Sequence, residues 1–170
     1  QALAISKRSG RVGALQFIDL DNFKTLNDTQ GHDMGDLLLK QVAQRLTECM
    51  RQGDTVARLG GDEFVIMIEE LSENREEAAA QAELIGEKIL GAISMPYRLA
   101  GLDYQITPSI GVTLYTDHQQ STDDLLKQAT GQFELVSPGY VSGTPVFTAD
   151  GRFLLLRRAP SVGAVSTLEL

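Results

Sequence analysis

Ala14-Leu-Gln-Phe-Ile-Asp-Leu-Asp21 is a mostly apolar run that turns acidic at its end, and it reads as a buried strand. Before it, residues 1–10 read as the end of a helix broken at Ser9-Gly10. After it, Asp33 to about Met50 has helical spacing: Leu38, Val42 and Leu46 form one stripe, Leu39 and Ala43 lie beside it, and Asp33 is placed to cap the start. Thr55 to Leu59 and Phe64 to Ile68 are short strand-like runs divided by Gly60-Gly61 and two acids, the pattern of a hairpin. Glu73 to Ile93 is Ala-rich and periodic, hence helix, and Tyr97 to Tyr115 carries strand-like stretches around Gly101 and Pro108. Thr122 is placed to cap a last helix through Asp123, Asp124, Leu125, Leu126 and Ala129. The order strand, helix, hairpin, helix, strand predicts an α+β fold, an antiparallel-rich sheet with helices over one face, related to the ferredoxin-like βαββαβ plan.

From Gly131 the texture changes to Gly, Ser, Pro, Val and Thr, with one hairpin pattern: Val146-Phe147-Thr148, a turn at Asp150-Gly151, then Phe153 to Leu156. The expected organisation is one domain over residues 1–130 and an unassigned β-rich tail over 131–170, which matches a chain of 170 residues with 42% hydrophobic composition. The tail's acids (Glu134, Asp150, Glu169) and bases (Arg152, Arg157, Arg158) balance, so the net charge of -8 sits in the first part. That sign disfavours a partner that is a nucleic acid polymer, while a nucleotide bound through metal ions remains compatible. Cys49 is the only cysteine and His32 and His118 the only histidines, which leaves neither a disulfide framework nor a Cys/His zinc site and fits a cytoplasmic setting. No apolar run approaches the ~20 residues that span a bilayer, so no membrane contact is expected of this segment.

The chemistry is expected where acids meet. Asp19 and Asp21 close the first strand, Asp62 and Glu63 sit at the hairpin tip, and a sheet brings such ends side by side. Clustered carboxylates repel unless a cation neutralises them, and a hard divalent ion such as Mg²⁺ takes a few carboxylates and completes its shell with water and nucleotide phosphates. Metal-dependent phosphoryl or nucleotidyl transfer follows. Taken singly, each piece is also consistent with solvated turn residues.

Phe17-Ile-Asp-Leu-Asp-Asn-Phe-Lys24, Asn27-Asp28, Gly31-His-Asp-Met-Gly-Asp36 and Arg58-Leu-Gly-Gly-Asp-Glu-Phe64 resemble, in order and spacing, the signatures of the GGDEF family. These are diguanylate cyclase domains, which condense two GTP into cyclic di-GMP. Met95-Pro-Tyr97 and Pro108-Ser-Ile-Gly-Val-Thr113 are similar to the GGDEF part of bacterial hybrid proteins in which an EAL phosphodiesterase domain follows. The resemblance implies a nucleotidyl-cyclase, polymerase-palm-like fold and Mg²⁺ (or Mn²⁺) held by Asp19, Asp62 and the backbone carbonyl of Leu20. It implies a catalytic part for Glu63, either in deprotonating the attacking ribose 3′-hydroxyl or in holding metal. Backbone amides around Asn22, Phe23 and Lys24 would cradle the β- and γ-phosphates, with the Lys24 charge added there in a catalytic role. Asn27 and Asp36 match the family's guanine readers, although a turn and a helix N-terminus also account for those residue types. Arg51-Gln-Gly-Asp54 has the spacing of the family's inhibitory site, where Arg51 and Asp54 would bind product; the plainer account is an exposed ion pair at a helix end.

The chain departs from the family at both ends. It starts inside the first helix, and at the other end the helix from Thr122 should continue through a run like Asp-x-Ala-Met-Tyr-x-Ala-Lys to Gly-Arg-Asn, whereas Thr130-Gly131 is expected to stop it. The lost Lys and Arg contact GTP phosphates in the family. The leading expectation is therefore a product-inhibited diguanylate cyclase that releases pyrophosphate and works as a homodimer, fused in its parent to sensory and EAL domains. The alternative is a catalytically impaired module that binds GTP or cyclic di-GMP and regulates an attached phosphodiesterase domain.

Overall fold

The computed structural model describes residues 9–116, 122–135 and 153–157, and the helix end read before residue 9 and the hairpin arm at Val146-Phe147-Thr148 with its turn lie outside them. The central strand β1 (Gly13–Leu20) is buried at every position except Asp19, which is half-buried. It pairs antiparallel with β3 (Glu63–Ile68) on one side and β6 (Pro108–Tyr115) on the other. With β2 (Thr55–Gly60) and β7 (Phe153–Arg157) at the edges, the sheet order is β2-β3-β1-β6-β7. This is the expected α+β class with an antiparallel sheet.

Side chains alternate across a strand, so β1 builds two faces. Ala14, Ile18 and Leu20 join Phe64, Ile66, Ile110 and Val112 in a core closed by α1 (Phe23–Gln30), α2 (His32–Cys49) and α3 (Arg75–Ile93). Leu15 and Phe17 face the other way with Val65 and Tyr115, and there Leu125 and Ala129 of α4 (Thr122–Leu135) cover them. Helices thus cover both faces rather than one. Exposing Leu15, Phe17, Val65 and Tyr115 would cost about 1.5–3 kcal/mol for each large apolar side chain, so a second layer is required.

Two further expectations change, and one helix has no counterpart among them. The helix α1 had no clear signal, because Phe23 and Leu26 are its only buried residues. Asp33 lies in the first turn of α2 rather than at its cap; that place belongs to Gly31, whose φ of 86° ends α1 and starts α2 at a single residue. A side chain there would be strained, which explains a glycine at the corner. Finally, α4 passes through Thr130-Gly131 and ends at Leu135. One interior glycine costs a helix only about 1 kcal/mol relative to alanine, too little to stop it when neighbouring turns are packed.

Asn74 caps α3, its Oδ1 accepting from the backbone N–H groups of Glu76 (2.8 Å) and Glu77 (3.1 Å). A small second sheet of β4 (Tyr97–Leu99) and β5 (Leu102–Tyr104) turns at Ala100-Gly101, both at positive φ. Arg45 of α2 binds this region to the body: it donates to the carbonyls of Ala92, Met95 and Pro96, and its guanidinium stacks 3.6 Å from the Tyr97 ring centroid.

Tyr115 crosses β1 at its start. Its ring occupies the volume that a side chain at Gly13, its cross-strand partner, would fill, and its hydroxyl donates to the Ile68 carbonyl at 3.1 Å. Gly13→Ala is therefore expected to destabilise the domain by about 1–3 kcal/mol through overpacking, and Tyr115→Phe by about 1 kcal/mol through the lost hydrogen bond. Urea unfolding checks both; a Gly13→Ala variant with an unchanged midpoint would show that the ring moves aside freely.

Candidate active site

The register of β1 decides which acids meet. Asp19 stands opposite Glu63 on β3 and opposite Ser109 on β6. Asp62, in the turn just before Glu63, completes the group. Burial comes first, followed by the neighbouring charges of Asp62, Asp21 and Glu63, in pushing the Asp19 carboxyl from 3.8 up to about 6. A carboxyl so placed gains from a cation. Asp62 and Glu63 are half-buried and share the open end of the sheet with it.

Asp21 belongs to this region but has another task. Its Oδ2 accepts from the Thr107 hydroxyl and its Oδ1 from the Ser109 hydroxyl, both at 2.8 Å, and its backbone N–H donates to the Thr107 carbonyl at 2.8 Å. Both carboxylate oxygens are engaged, so Asp21 fixes the exit from β1 to β6 rather than facing the open end. That backbone bond has a second effect. In a trans peptide the C=O points opposite to the N–H, so with the Asp21 N–H on the β6 side, the Leu20 carbonyl is turned to the side of the hairpin that bears Asp62. The Leu20 side chain is buried, which leaves only this carbonyl to offer.

Two carboxylates and a carbonyl at one sheet end suit a hard divalent cation with oxygen ligands. Among the described residues no group of three His, Cys, Asp or Glu is gathered as a metal cage, so such an ion would rely on water and a bound nucleotide for its remaining ligands. The next residue, Asn22, adopts a left-handed conformation (φ 62°) as the N-cap of α1, and Phe23 and Lys24 form the first turn. Amides at a helix start have no partner within the helix, and Lys24 is exposed beside them.

In the second turn of α1, Asn27 packs toward α2. A Cβ at Gly35, the residue before the exposed Asp36, would overlap its Oδ1, and that oxygen is buried with no hydrogen-bond partner. Asp36 lines a cleft of about 410 Å³ with Lys40, Val56 and Arg58. His32 is exposed at the start of α2.

Arg51 and Asp54 lie apart, beyond the other end of β3, roughly 20 Å away at the rise of a six-residue strand. Arg51 Nε is 3.3 Å from Asp54 Oδ1, with the Asp54 side chain 4% exposed and that of Arg51 57%. The Arg51 guanidinium also donates to the Glu69 and Glu70 carbonyls, and Glu70 has a φ of 50°. A cleft of about 470 Å³ there includes Arg11, Gln81 and Lys88. At the hairpin tip Gly61 takes a positive φ of 51°, while Gly60 pairs with Glu63.

An α+β domain with an antiparallel palm-like sheet and acids at its open end has the architecture of nucleotidyl cyclases. The family profile described as "Diguanylate cyclase, GGDEF domain" matches residues 1–134. The chain belongs to the GGDEF family, whose chemistry is cyclic di-GMP synthesis. It is 43% identical over 129 residues to the bifunctional diguanylate cyclase/cyclic di-GMP phosphodiesterase MucR of Pseudomonas aeruginosa, covering 76% of this chain and 18% of that protein. The crystal structure of the GGDEF domain of TpbB from Pseudomonas aeruginosa is similar with a TM-score of 0.69 at 33% identity, covering 78% of this chain and 83% of that one. The GGDEF domain of DgcB from Caulobacter crescentus, solved in complex with c-di-GMP, has a TM-score of 0.66 at 27% identity and covers 79% and 77%. The chain thus spans under a fifth of MucR's length.

Because folded Asp19 holds its proton up to about pH 6 and the unfolded residue only to 3.8, this group makes stability fall as pH rises through that window. In metal-free buffer, Asp19→Asn is therefore expected to melt higher than the parent at pH 7.5 and to show no such gain at pH 4. Equal melting at pH 7.5 would remove the repulsion assigned to this cluster.

Proposed function

We propose that the domain condenses two GTP into cyclic di-GMP with release of two pyrophosphates. The observation that carries the reading is the convergence of Asp19, Asp62 and Glu63 at one sheet end, with the Asp19 carboxyl raised by burial and by its acidic neighbours. Asp19, Asp62 and the Leu20 carbonyl hold Mg²⁺ or Mn²⁺, which, when bound, neutralises the cluster, stabilises charge on the transferring phosphorus and lowers the pKa of the 3′-hydroxyl. The amides of Asn22, Phe23 and Lys24 take the β- and γ-phosphates and the Lys24 ammonium adds charge. Asn27 and Asp36 pair with the donor and acceptor edge of guanine, Asn27 from its place against Gly35 and Asp36 from the next residue along α2.

Each protomer of a homodimer holds one GTP. The 3′-oxygen of one nucleotide attacks the α-phosphorus of the other, Glu63 accepts the hydroxyl proton, and the bond to the β-phosphate oxygen breaks as pyrophosphate leaves; the same step in the opposite sense closes the ring. Dimerisation supplies the alignment that makes this effectively intramolecular. Arg51 and Asp54 bind the product and inhibit turnover, with Arg suited to gripping phosphate and stacking on guanine. The working ion, the cytoplasmic setting and fusion to sensory and EAL domains belong to the same reading.

A second reading, a module that binds GTP or cyclic di-GMP without turnover and regulates an attached phosphodiesterase, follows from the sequence beyond Ala129, which lacks the family's Lys and Arg run. One experiment separates the two: cyclic di-GMP formation from GTP and Mg²⁺ at high protein concentration, with binding of both nucleotides measured on the same sample. Turnover selects the cyclase, and binding alone selects the module. Asp62→Ala is expected to abolish turnover and weaken Mg-GTP binding, and normal activity in that variant would overturn the metal assignment. Arg51→Ala is expected to keep turnover and lose inhibition by added cyclic di-GMP; unchanged inhibition would remove Arg51 from that role.

A further inference from the structure

The hairpin that presents Asp62 and Glu63 is loosely built. β2 is an edge strand with mostly exposed residues, and its register against β3 shifts between Arg58, opposite Phe64, and Gly60, opposite Glu63. Leu59 is the extra residue of this bulge, 52% exposed. A bulge interrupts the backbone ladder just where the chain passes from Asp62 in the turn to Glu63 in the strand.

Arg58 occupies the gap. Its Nε donates to the Gly61 carbonyl at 2.9 Å and its Nη2 to the same oxygen at 2.7 Å. That carbonyl belongs to the peptide whose N–H is Asp62's, so holding the oxygen with two donors restrains the peptide plane from which the Asp62 side chain departs. Two parallel N–H groups on one oxygen require a guanidinium; an ammonium is a point donor that leaves the plane free to rotate. Arg58 also lines the cleft shared with Asp36 and Lys40 of α2.

We infer that Arg58 is a positioning residue, whose two-pronged grip on the Gly61 carbonyl holds Asp62 and Glu63 toward Asp19. It acts through the Gly61–Asp62 peptide rather than on the reacting atoms. The inference rests on the cyclase reading only for its kinetic consequence. Because Arg58 is exposed and its bonds lie at the tip of an edge strand, the global stability of the domain does not depend on them.

The test compares Arg58→Ala and Arg58→Lys with Leu59→Ala, a control at the exposed neighbour. Three quantities are measured on the full chain: kcat and KM for GTP, Mn²⁺ affinity without nucleotide, and amide hydrogen exchange at residues 61–63. Arg58→Ala is expected to lower kcat at least about tenfold with KM within about threefold, to weaken Mn²⁺ binding and to speed exchange at Asp62 and Glu63, with an unchanged unfolding midpoint. Arg58→Lys should fall between, and Leu59→Ala should match the parent. Unchanged exchange, unchanged Mn²⁺ affinity, unchanged kcat where the parent turns over, or a rise in KM alone would each overturn the inference. If the parent forms no cyclic di-GMP, it is the cyclase reading that fails, and exchange and Mn²⁺ affinity still decide whether Arg58 holds the hairpin.

Discussion

Because β1 has no face in water, the rest of the domain has to supply two apolar layers, and most of the architecture follows from meeting that demand. Ile18 and Leu20 pull α1, α2 and α3 onto one side, while Leu15 and Phe17 require α4 on the other. Both neighbouring strands are fixed in register by the same alternation, since a slip of one residue would exchange the two faces. Burial also determines where polarity is allowed. Gln16, fully buried in the middle of β1, survives by donating to the Ala82 carbonyl of α3 at 2.8 Å, and polar side chains otherwise gather where the strand ends.

The acid cluster is a consequence of this register rather than a separate device. Once Phe17 pairs with Val65 across the sheet, Asp19 must stand opposite Glu63, two residues further on the same face, just where the covering layer ends. Half-burial then costs Asp19 solvation at the point where three more carboxylates surround it. Asp21 instead bonds two hydroxyls, so acids two residues apart differ in environment because Thr107, just before β6, and Ser109 within it donate to only one of them.

Local patterns in the sequence were enough to place β1, the β2–β3 hairpin, α2 and α3, because each carries its own period or its own turn glycines. The features that escaped are those decided by distant partners. Thr107 and Ser109 lie 86 and 88 residues from Asp21, and no local spacing announces that they take up its oxygens. The layering over both faces depends on α4 returning to β1, and α1 has too few apolar residues to show a period. In the candidate site, the order and spacing of motifs named the acids and the Asn27 and Asp36 pair. Gly35 and Arg58 were visible only as letters within those motifs; a missing Cβ against Asn27 and a grip on the Gly61 carbonyl are contacts, which need coordinates.

The junction of α1 and α2 at Gly31 leaves no loop between them. α1 is consequently a strut, pinned at one end by the Asn22 turn that Asp21 secures to β6 and at the other by a single residue's dihedral angles. Its eight residues, at 1.5 Å of rise each, set a span of about 12 Å between turn and corner. A ligand that engages both ends has to match that length. The domain thus carries a ruler cut from one helix, whose gauge is fixed by hydrogen-bonded helical geometry rather than by the packing of two independent loops.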